Sequence, residues 1–401
     1  MPHDPGQSQP SAPTETHWLS IGAAVASISV VGIAIGLGMP LLSVVLEAQG
    51  HSASMIGLNT AVAGFASIAA APLAIPIASR LGVAPTMLVM ILLGSLAFLG
   101  FHFVPAFWMW FPLRVILHAA LTILFILSEF WISMSAPPSR RGFVLSVYAT
   151  VLSLGFAFGP WLFAKMGSAG FLPFGVTFAI VMVAAIPVAL AARESPSIHH
   201  PDDDESSGST GFLRYIWLVP TATAAVFVFG AVETGGFALF PVYGSRIGHP
   251  EADAALLLSM IGLGNVILQI PLGLLSDRVK DRRWLLLGCA LVGFAGISAL
   301  PWYATNWDVA AAVLFVWGGV VAALYTIGLA HLGSRLTGRE LASANAAFVF
   351  CYGFGMLVGP QAIGIGMDLF GPPGFGYALA LFFALYILLA IARIVSTPRR
   401  N

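Results

Sequence analysis

Three ionisable side chains interrupt the apolar stretch RVILHAALTILFILSE, namely Arg114, His118 and Glu129. On a helix, at 100° per residue, His118 lies about 40° and Glu129 about 60° around the axis from Arg114, so all three share one face. At about 1.5 Å per residue, Arg114 and Glu129 are roughly 22 Å apart along the axis, which is too far for an ion pair. Ionisable groups in hydrocarbon are costly and usually mark a substrate or ion pathway.

A further carboxylate, Glu233, lies in the apolar stretch FGAVETGGFALFP, at a predicted membrane depth comparable with that of Arg114. We predict that these two side chains form, or compete for, a charge pair across a central cavity. Glu233 would then exchange a proton when a substrate displaces it, because burial and a nearby arginine act oppositely on a carboxylate. The alternative is a fixed structural pair, or a Glu233 hydrogen-bonded beside Gly235 and Gly236.

The other candidates each keep more than one interpretation. Glu129 lies near the predicted cytoplasmic end, where it is a gate residue, a proton site or a member of a structural ion pair. His118 is either an interior histidine with satisfied ring nitrogens or a proton relay. Tyr325 and Trp317, on a later apolar stretch, are candidates to stack on a ligand or to hydrogen-bond it in the cavity.

The composition places these residues in a membrane protein. The 401-residue chain is 58% hydrophobic and only 8% charged, with a formal net charge of zero, which gives no reason to expect a nucleic-acid partner. Runs without charge extend over residues 18–46, 55–79 and 81–113, and about 20 apolar residues suffice to cross the hydrocarbon core. No phosphate-binding loop, metal-ligand cluster or nucleophile arrangement is evident, so we predict neither enzyme activity nor a cofactor or metal.

Charged and Gly/Pro-rich turns divide the chain into twelve predicted transmembrane helices in two six-helix bundles. The predicted spans are residues 18–46, 55–79, 84–104, 106–134, 143–164, 171–192, 215–243, 254–276, 284–302, 309–332, 341–367 and 375–396. The predicted domains are a disordered tail (1–17), an N-terminal bundle (18–192), an acidic linker (193–214), a C-terminal bundle (215–396) and a short tail (397–401).

The basic residues predict the orientation. With a cytoplasmic N-terminus, fourteen Lys and Arg residues fall in inner loops, the linker and the C-terminal tail, whereas Lys165 and Arg246 fall outside. This asymmetry follows the positive-inside rule. We therefore predict a multi-pass protein of the cytoplasmic (inner) membrane with both termini in the cytoplasm.

The pattern G-x-x-x-G-P occurs once in each half, 200 positions apart. It comprises Gly155, Gly159 and Pro160 in the fifth span and Gly355, Gly359 and Pro360 in the eleventh. Small residues four apart let helices approach closely, and a proline after them kinks the span. We favour pseudo-symmetric packing at the bundle interface; a determinant of antiport is the alternative.

Three local signatures resemble the major facilitator superfamily. The stretch GLLSDRVKDRR, residues 273–283, is similar to its loop motif G-x-x-x-D-R-x-G-R-R, although Lys280 replaces the second glycine and the arginines slip by one. Arg114 lies where that family often has an intramembrane arginine, and GFAFGP resembles the start of its antiporter motif. The run SEFWIS…RRGFVLSVYAT…GFAFGP is similar to the YcaD-type bacterial permeases. The resemblance implies alternating access around a cavity lined mainly by the first, fourth, seventh and tenth helices.

By the same resemblance, Asp277 would face the start of the fifth helix near Arg140 and Arg141. A carboxylate there gains from the helix dipole and from the arginines, so we predict a latch that closes the cytoplasmic side. Gly273 would permit close helix packing, and the latch loop also carries Arg278 and Arg282. The alternative is a basic loop that only sets orientation.

The function predicted from these features is proton-coupled export of amphipathic or drug-like molecules. Uptake of a small organic anion, with Arg114 binding its carboxylate, is the alternative, and a transport-inactive membrane sensor is another. The predicted partners are a small-molecule substrate, protons and the lipid bilayer, and the protein is expected to be a monomer.

Overall fold

The computed structural model describes residues 18–137, 140–197, 213–336 and 338–396, without the side chains of positions 141, 142, 338, 339 and 342. The predicted tails and most of the predicted linker lie outside these ranges. Within the described residues, all regular structure is helical.

Twelve long helices follow one another in the part of the chain that the structure describes. They are α1 (Trp18–Ala48), α2 (Ala53–Leu81), α3 (Val83–Phe103), α4 (Phe107–Ser135), α5 (Arg141–Met166), α6 (Leu172–Leu190), α7 (Pro220–Arg246), α8 (Glu251–Arg278), α9 (Arg282–Ser298), α10 (Trp307–Gly333), α11 (Gly338–Phe370) and α12 (Pro373–Ser396). Eleven are long and apolar enough to cross a membrane. The remaining one, α9, has 17 residues and is followed closely by the short helix Leu300–Tyr303. The predicted twelve-helix fold is confirmed.

The repeated glycines bring corresponding helices together inside each half. A Cβ atom added to Gly159 would lie 2.5 Å from the backbone nitrogen of Leu37 in α1. In the second half, Gly359 faces the backbone of Ala231 in α7 in the same way. The pattern therefore joins α5 to α1 and α11 to α7. For these glycines the predicted place, between the two bundles, is wrong, because each pair lies within one bundle, whereas Pro360 of the same pattern does face the other half at Gly57.

The two halves meet chiefly through α2 with α11 and through α5 with α8. Gly57 and Gly64 of α2 face the α11 backbone at Pro360 and Leu357. Gly262 of α8 likewise faces Ala157 of α5. Close backbone contact of this kind needs small residues, and it stabilises helix pairs through van der Waals packing.

Hydrogen bonds between described residues of the two halves include five at one end of the molecule. We call this the outer end, defined by the connections at residues 49–52, 104–106, 167–171, 247–250, 304–306 and 371–372; the opposite end is the inner end. The Asp368 carboxylate accepts from the backbone N–H groups of Ala53 and Ser54, at 3.0 and 2.9 Å. Arg246 and Ser245 donate to the Glu47 carboxylate at 3.0 and 2.9 Å.

The fifth of these bonds runs from the Ser168 hydroxyl to the Glu251 carboxylate, at 2.8 Å. At the inner end, by contrast, Leu73 of α2, Phe143 of α5 and Leu274 of α8 are exposed. The structure thus represents a conformation that is closed at the outer end.

Candidate functional site

A cavity lies within the second half, and Phe156 of α5 is the residue of the first half that lines it. Most of its wall is apolar, from residues such as Phe156 of α5 and Phe240 of α7. The polar groups on the wall are Glu233 of α7, Asn265 of α8 and Trp317 of α10. A largely apolar pocket with a few placed polar groups is the usual form of a small-molecule site.

Glu233 is partly exposed to this cavity and has one strong hydrogen bond. The Tyr352 hydroxyl of α11 donates to its carboxylate at 2.6 Å. Close packing of α7 on α11 holds these two groups together, because Gly230 faces the Tyr352 carbonyl and Gly235 faces Gly359. The site is therefore a carboxylate fixed by its own half and turned toward the cavity.

Sequence reasoning missed Tyr352. A usable signal was present, because Tyr352 lies about one turn before Gly355, on the face that G-x-x-x-G presents to its partner helix. Its ring also lies 6.0 Å from the ring of Tyr325 and 6.2 Å from that of Phe229.

Arg114 is fully buried in the first half, away from the residues that line the cavity. Its Nε and Nη2 atoms donate to the Oδ1 atom of Asn59 in α2, at 3.1 and 3.0 Å. The guanidinium carbon lies 6.0 Å from the centre of the Phe101 ring. Three buried polar atoms here have no hydrogen-bond partner: Nη1 of Arg114, Nδ2 of Asn59 and the Thr60 hydroxyl.

The predicted pair of Arg114 with Glu233 is therefore wrong for this conformation. Arg114 bonds to a neutral residue in its own half, and Glu233 bonds to Tyr352 in the other half. The prediction used helix order and depth, neither of which determines how a helix is rotated against its neighbours.

His118 is buried on the same helix as Arg114, and Glu129 is exposed near the inner end. Glu129 lies within electrostatic range of Tyr148 in α5 and of Tyr325 in α10. It thus faces residues from both halves, in contrast to Arg114. Arg114, His118 and Glu129 were predicted to share one face of the helix, but their surroundings differ.

Of the two aromatic candidates, only Trp317 lines the cavity. It is buried, and its indole N–H donates to the Gly293 carbonyl at 2.9 Å, so this donor is already used inside the second half. Tyr325 lies about two turns further along α10, in an aromatic cluster with Phe229, Phe348 and Tyr352.

In this conformation the predicted latch at Asp277 is not formed with any described residue of the first half. Asp277 has a side chain that is 73% exposed and pairs with Arg282 of its own half at 3.4 Å. A Cβ atom added to Gly273 would meet nothing within 4 Å, so the predicted close packing at this glycine is absent here. Arg140 and Arg278 are exposed, and the side chain of Arg141 lies outside the described residues.

A different ion pair in the same loop was missed. Arg283 donates to both oxygens of Asp281, with the shortest contact at 2.8 Å, and also to the Arg393 carbonyl of α12 at 3.1 Å. The hydrogen bond from Arg283 lowers the pKa of the Asp281 carboxyl below its usual range. Asp281 also caps the first turn of α9, so this pair ties the loop to its own half.

The family model of the Major Facilitator Superfamily matches residues 24–264 and 247–401. One relative is the uncharacterized MFS-type transporter YfkF of Bacillus subtilis (strain 168), 26% identical over 88% of this chain and 90% of its own length. Another is the uncharacterized MFS-type transporter YcaD of Escherichia coli O139:H28, 21% identical over 75% of this chain and 76% of YcaD.

Solved transporter structures share the fold. The nucleoside transporter NupG (D323A mutant) superposes with a TM-score of 0.78 at 12% identity, covering 96% of this chain and all of NupG. A bacterial homologue of the human lysosomal transporter Spinster, inward-facing and occupied, gives 0.69 at 14% identity, covering 97% of this chain and all of that one. With its family model, its relatives and its twelve-helix fold in agreement, the chain belongs to the major facilitator superfamily and is a membrane transport carrier.

Proposed function

We propose that this carrier exports amphipathic compounds across the cytoplasmic membrane in exchange for protons. The observation that carries the proposal is Glu233, a carboxylate on a largely apolar cavity wall that accepts a hydrogen bond from Tyr352. Apolar walls suit the hydrophobic part of such a compound, and a carboxylate suits a cationic group on it.

Proton exchange follows from the position of this carboxylate. An empty, wet cavity favours its charged form, whereas a surrounding that excludes water favours the protonated form. A cationic substrate and a proton therefore compete for Glu233. In each cycle, the proton would enter from the outer side and leave at the inner side as substrate binds.

The closed outer end supports loading from the inner side. Opening the outer end would require the Glu47 and Asp368 contacts to break, which is the second conformation of an alternating-access cycle. In that conformation we propose that the inner end closes and that Asp277 engages the start of α5 near Arg140 and Arg141. Glu129 belongs to the inner part of the same cavity in this scheme.

Uptake of a small organic anion is the second candidate, and one observation favours it. Arg114 has an Nη1 atom without a hydrogen-bond partner and no carboxylate beside it among the described residues. Its full burial within the first half, away from the cavity wall, argues against direct substrate contact. We therefore prefer export.

The test begins with a compound panel in an efflux-deficient bacterial host, which identifies a transported compound. Purified protein is then placed in proteoliposomes with an internal pH indicator, and proton flux is measured on addition of that compound. Glu233→Gln, which mimics the protonated form, is expected to bind a cationic compound more weakly and to lose the coupled proton flux. Asp308→Asn, which removes an exposed carboxylate at the outer end of α10, is the matched control and should behave like the wild type.

Unchanged coupling in Glu233→Gln would exclude this carboxylate as the proton site. If an inward proton gradient instead drives the compound inward together with the protons, the carrier is a symporter. The same panel, extended to small organic anions, decides between the two candidate functions.

A further inference from the structure

A row of hydroxyl and carboxyl side chains leads from Glu233 toward the inner end of the molecule. It starts at the hydrogen bond from the Tyr352 hydroxyl to the Glu233 carboxylate, at 2.6 Å. The Tyr352 ring lies 6.0 Å from the ring of Tyr325 in α10, at an interplanar angle of 77°. Glu233 and both tyrosines are partly exposed, so the packing of their helices does not seal them off.

These three side chains and Glu129 lie at successive depths in the membrane. Glu233 and Tyr352 are thirteen and fourteen residues from the inner ends of α7 and α11, or roughly 20 Å. Tyr325 is eight residues from the inner end of α10, or about 12 Å. Glu129 is six residues from the inner end of α4, or about 9 Å, and is exposed. The row therefore descends from mid-membrane to an exposed carboxylate near the inner surface.

Tyr325 connects the second half to the first in this row. Its ring lies 5.7 Å from the Phe229 ring of α7 and 5.4 Å from the Phe348 ring of α11, and these contacts fix its position in the second half. Glu129, on the first half, lies within electrostatic range of Tyr325. The row thus crosses from one half to the other at its inner end.

The outward side of Glu233 is packed with aromatic rings instead. Phe237 and Phe240 lie about one and two turns further along α7, and both line the cavity. The Phe240 ring is 5.8 Å from the Phe375 ring of α12, which is 5.0 Å from the Tyr243 ring. In this conformation the described hydroxyl and carboxyl groups next to Glu233 therefore lead inward.

We propose that Tyr352, Tyr325 and Glu129 carry the proton of Glu233 to the inner side of the membrane. The inference rests on the proposed export function and adds the path by which the proton is released. In that function a cation displaces the proton while the outer end is closed, which is the conformation in which the row is assembled.

The transfer conserves the chemical state of both tyrosines. A hydroxyl both accepts and donates a hydrogen bond, so the protonated Glu233 donates to the Tyr352 oxygen while Tyr352 passes its own proton on to Tyr325. Tyr325 passes a proton to the Glu129 carboxylate in the same way, and a water molecule bridges each step that is longer than a hydrogen bond. Glu233 ends as a carboxylate, and Glu129 releases the proton to the inner solution.

The test follows proton release from Glu233 directly and needs no transported compound. Purified protein in lipid nanodiscs is mixed rapidly from acidic into alkaline buffer, and the infrared band of the protonated Glu233 carboxyl group is recorded over time. The band is assigned by its absence from Glu233→Gln. Its decay gives the rate at which the proton leaves.

Two substitutions interrupt the path while keeping the shape of the side chain. Tyr325→Phe removes only the hydroxyl, and Glu129→Gln replaces the carboxylate with an amide of similar size. Each should slow the decay by at least about tenfold, because a positioned proton donor or acceptor commonly speeds proton transfer by about a hundredfold or more. The matched control is Tyr148→Phe, which should decay at the wild-type rate, because the Tyr148 hydroxyl lies 2.8 Å from the Ser128 hydroxyl within the first half.

Chemical rescue separates a proton carrier from a structural residue. Formate supplies a small carboxylate and should restore the rate in Glu129→Gln but not in Tyr325→Phe. Decay at the wild-type rate in both variants would overturn the path and show that the proton leaves directly through water. Slow decay in Glu129→Gln that formate does not restore would also count against the path, because it would assign Glu129 a structural role.

The path and the export proposal fail differently. A Glu233 band that does not change between acidic and alkaline buffer would contradict proton exchange at Glu233, and with it both proposals. A band that changes in the wild type and decays equally fast in the variants would refute the path and leave the export function standing.

Discussion

Arg114 in the first half and Glu233 in the second half both lie deep among apolar helices, and their surroundings differ. Arg114 in the first half is fully buried and bonds to the neutral Asn59 of the neighbouring helix. Glu233 in the second half is partly exposed to the central cavity and bonds to Tyr352. Depth in the membrane identifies both as costly, but only the neighbouring side chains distinguish a scaffold group from a cavity group.

The two surroundings should also differ in what the loss of a hydrogen-bond partner costs. A buried guanidinium without a carboxylate depends heavily on its one acceptor, because an unpaired buried charge is far more costly than an unpaired neutral group. Glu233 faces a space that water or a substrate can fill, so its charge does not have to be satisfied by the protein alone. Loss of a partner should therefore destabilise the first site and alter transport at the second.

The largest expected effect is at the buried contact between Arg114 and Asn59. Asn59→Leu leaves the Arg114 guanidinium buried without its acceptor and should lower the free energy of unfolding by about 3 kcal/mol. The double variant Asn59→Leu/Arg114→Met removes both polar partners and should recover most of that loss. Thermal unfolding in detergent, followed by tryptophan fluorescence, measures both.

Asn265→Leu, an equivalent change on the cavity wall, is the control and should alter stability little. If Asn59→Leu were as stable as the wild type, Arg114 would have another partner, and the contrast between the two halves would fail.

The next effect concerns the glycines that assemble both halves alike. Gly159→Ala places a methyl group 2.5 Å from the Leu37 nitrogen, and overpacking of this kind should cost about 2 kcal/mol. Gly359→Ala should cost a similar amount in the second half. The control is Gly273→Ala, where the methyl group meets nothing within 4 Å and stability should change by less than about 0.5 kcal/mol.

Thermal unfolding again gives the comparison. A Gly273→Ala variant that is stable but transports slowly would show that this glycine packs closely in the other conformation. Equal effects at Gly159 and Gly273 would contradict the packing described for α1 and α5.

Smaller effects are expected at two tyrosines, Tyr352 in the second half and Tyr148 in the first. Tyr352→Phe removes the hydroxyl bonded to Glu233 and should lower stability by about 1 kcal/mol and proton-coupled transport by about fivefold. Tyr148→Phe removes a hydroxyl that lies 2.8 Å from the Ser128 hydroxyl in the first half, so it should cost similar stability but leave coupling unchanged. Proton flux and thermal unfolding on the same preparations test this; equal loss of coupling in both variants would refute a specific role for Tyr352.

The smallest effect is at the ion pair of the inner loop. The pKa of Asp281 is lowered by the hydrogen bond from Arg283, so its contribution to stability is complete at neutral pH. That contribution is lost as the pH falls through the lowered pKa, which lies below the usual value of about 4. Asp281→Asn should be slightly less stable than the wild type at pH 7, and the difference should vanish at strongly acidic pH.

Unfolding of the two proteins across this pH range provides the check. A difference that persists at low pH would show that the substitution acts through something other than the charge pair, because asparagine and a protonated aspartate are both neutral and both cap a helix.

Much of the fold could be predicted because hydrocarbon imposes a simple rule on sequence. Charge-free runs of about 20 residues identify spans, and the predicted boundaries differ from the structure by only a few residues. The least regular span was α9, where 17 helical residues precede the short helix Leu300–Tyr303. Its hydropathy alone did not reveal that break.

The pairing of side chains could not be predicted because it depends on helix rotation. Arg114 and its partner are 55 positions apart, and Glu233 and Tyr352 are 119 apart. A periodic pattern assigns residues to a face of one helix but does not say which neighbour that face meets. The acceptor for Arg114 is also neutral, so a search for opposite charges passes over Asn59.

At the outer end, the Asp368 carboxylate of the second half binds the start of α2 in the first half. The carboxylate occupies the exposed amides at the start of α2, as a free anion would occupy a helix N-terminus. Because the α2–α11 contact already holds the two groups together, the binding is intramolecular and has a high effective concentration. In the proposed cycle, each opening of the outer end is thus a dissociation event, and each closure is the rebinding of a tethered anion. The strength of this contact would then help to set the time that the carrier spends in each conformation.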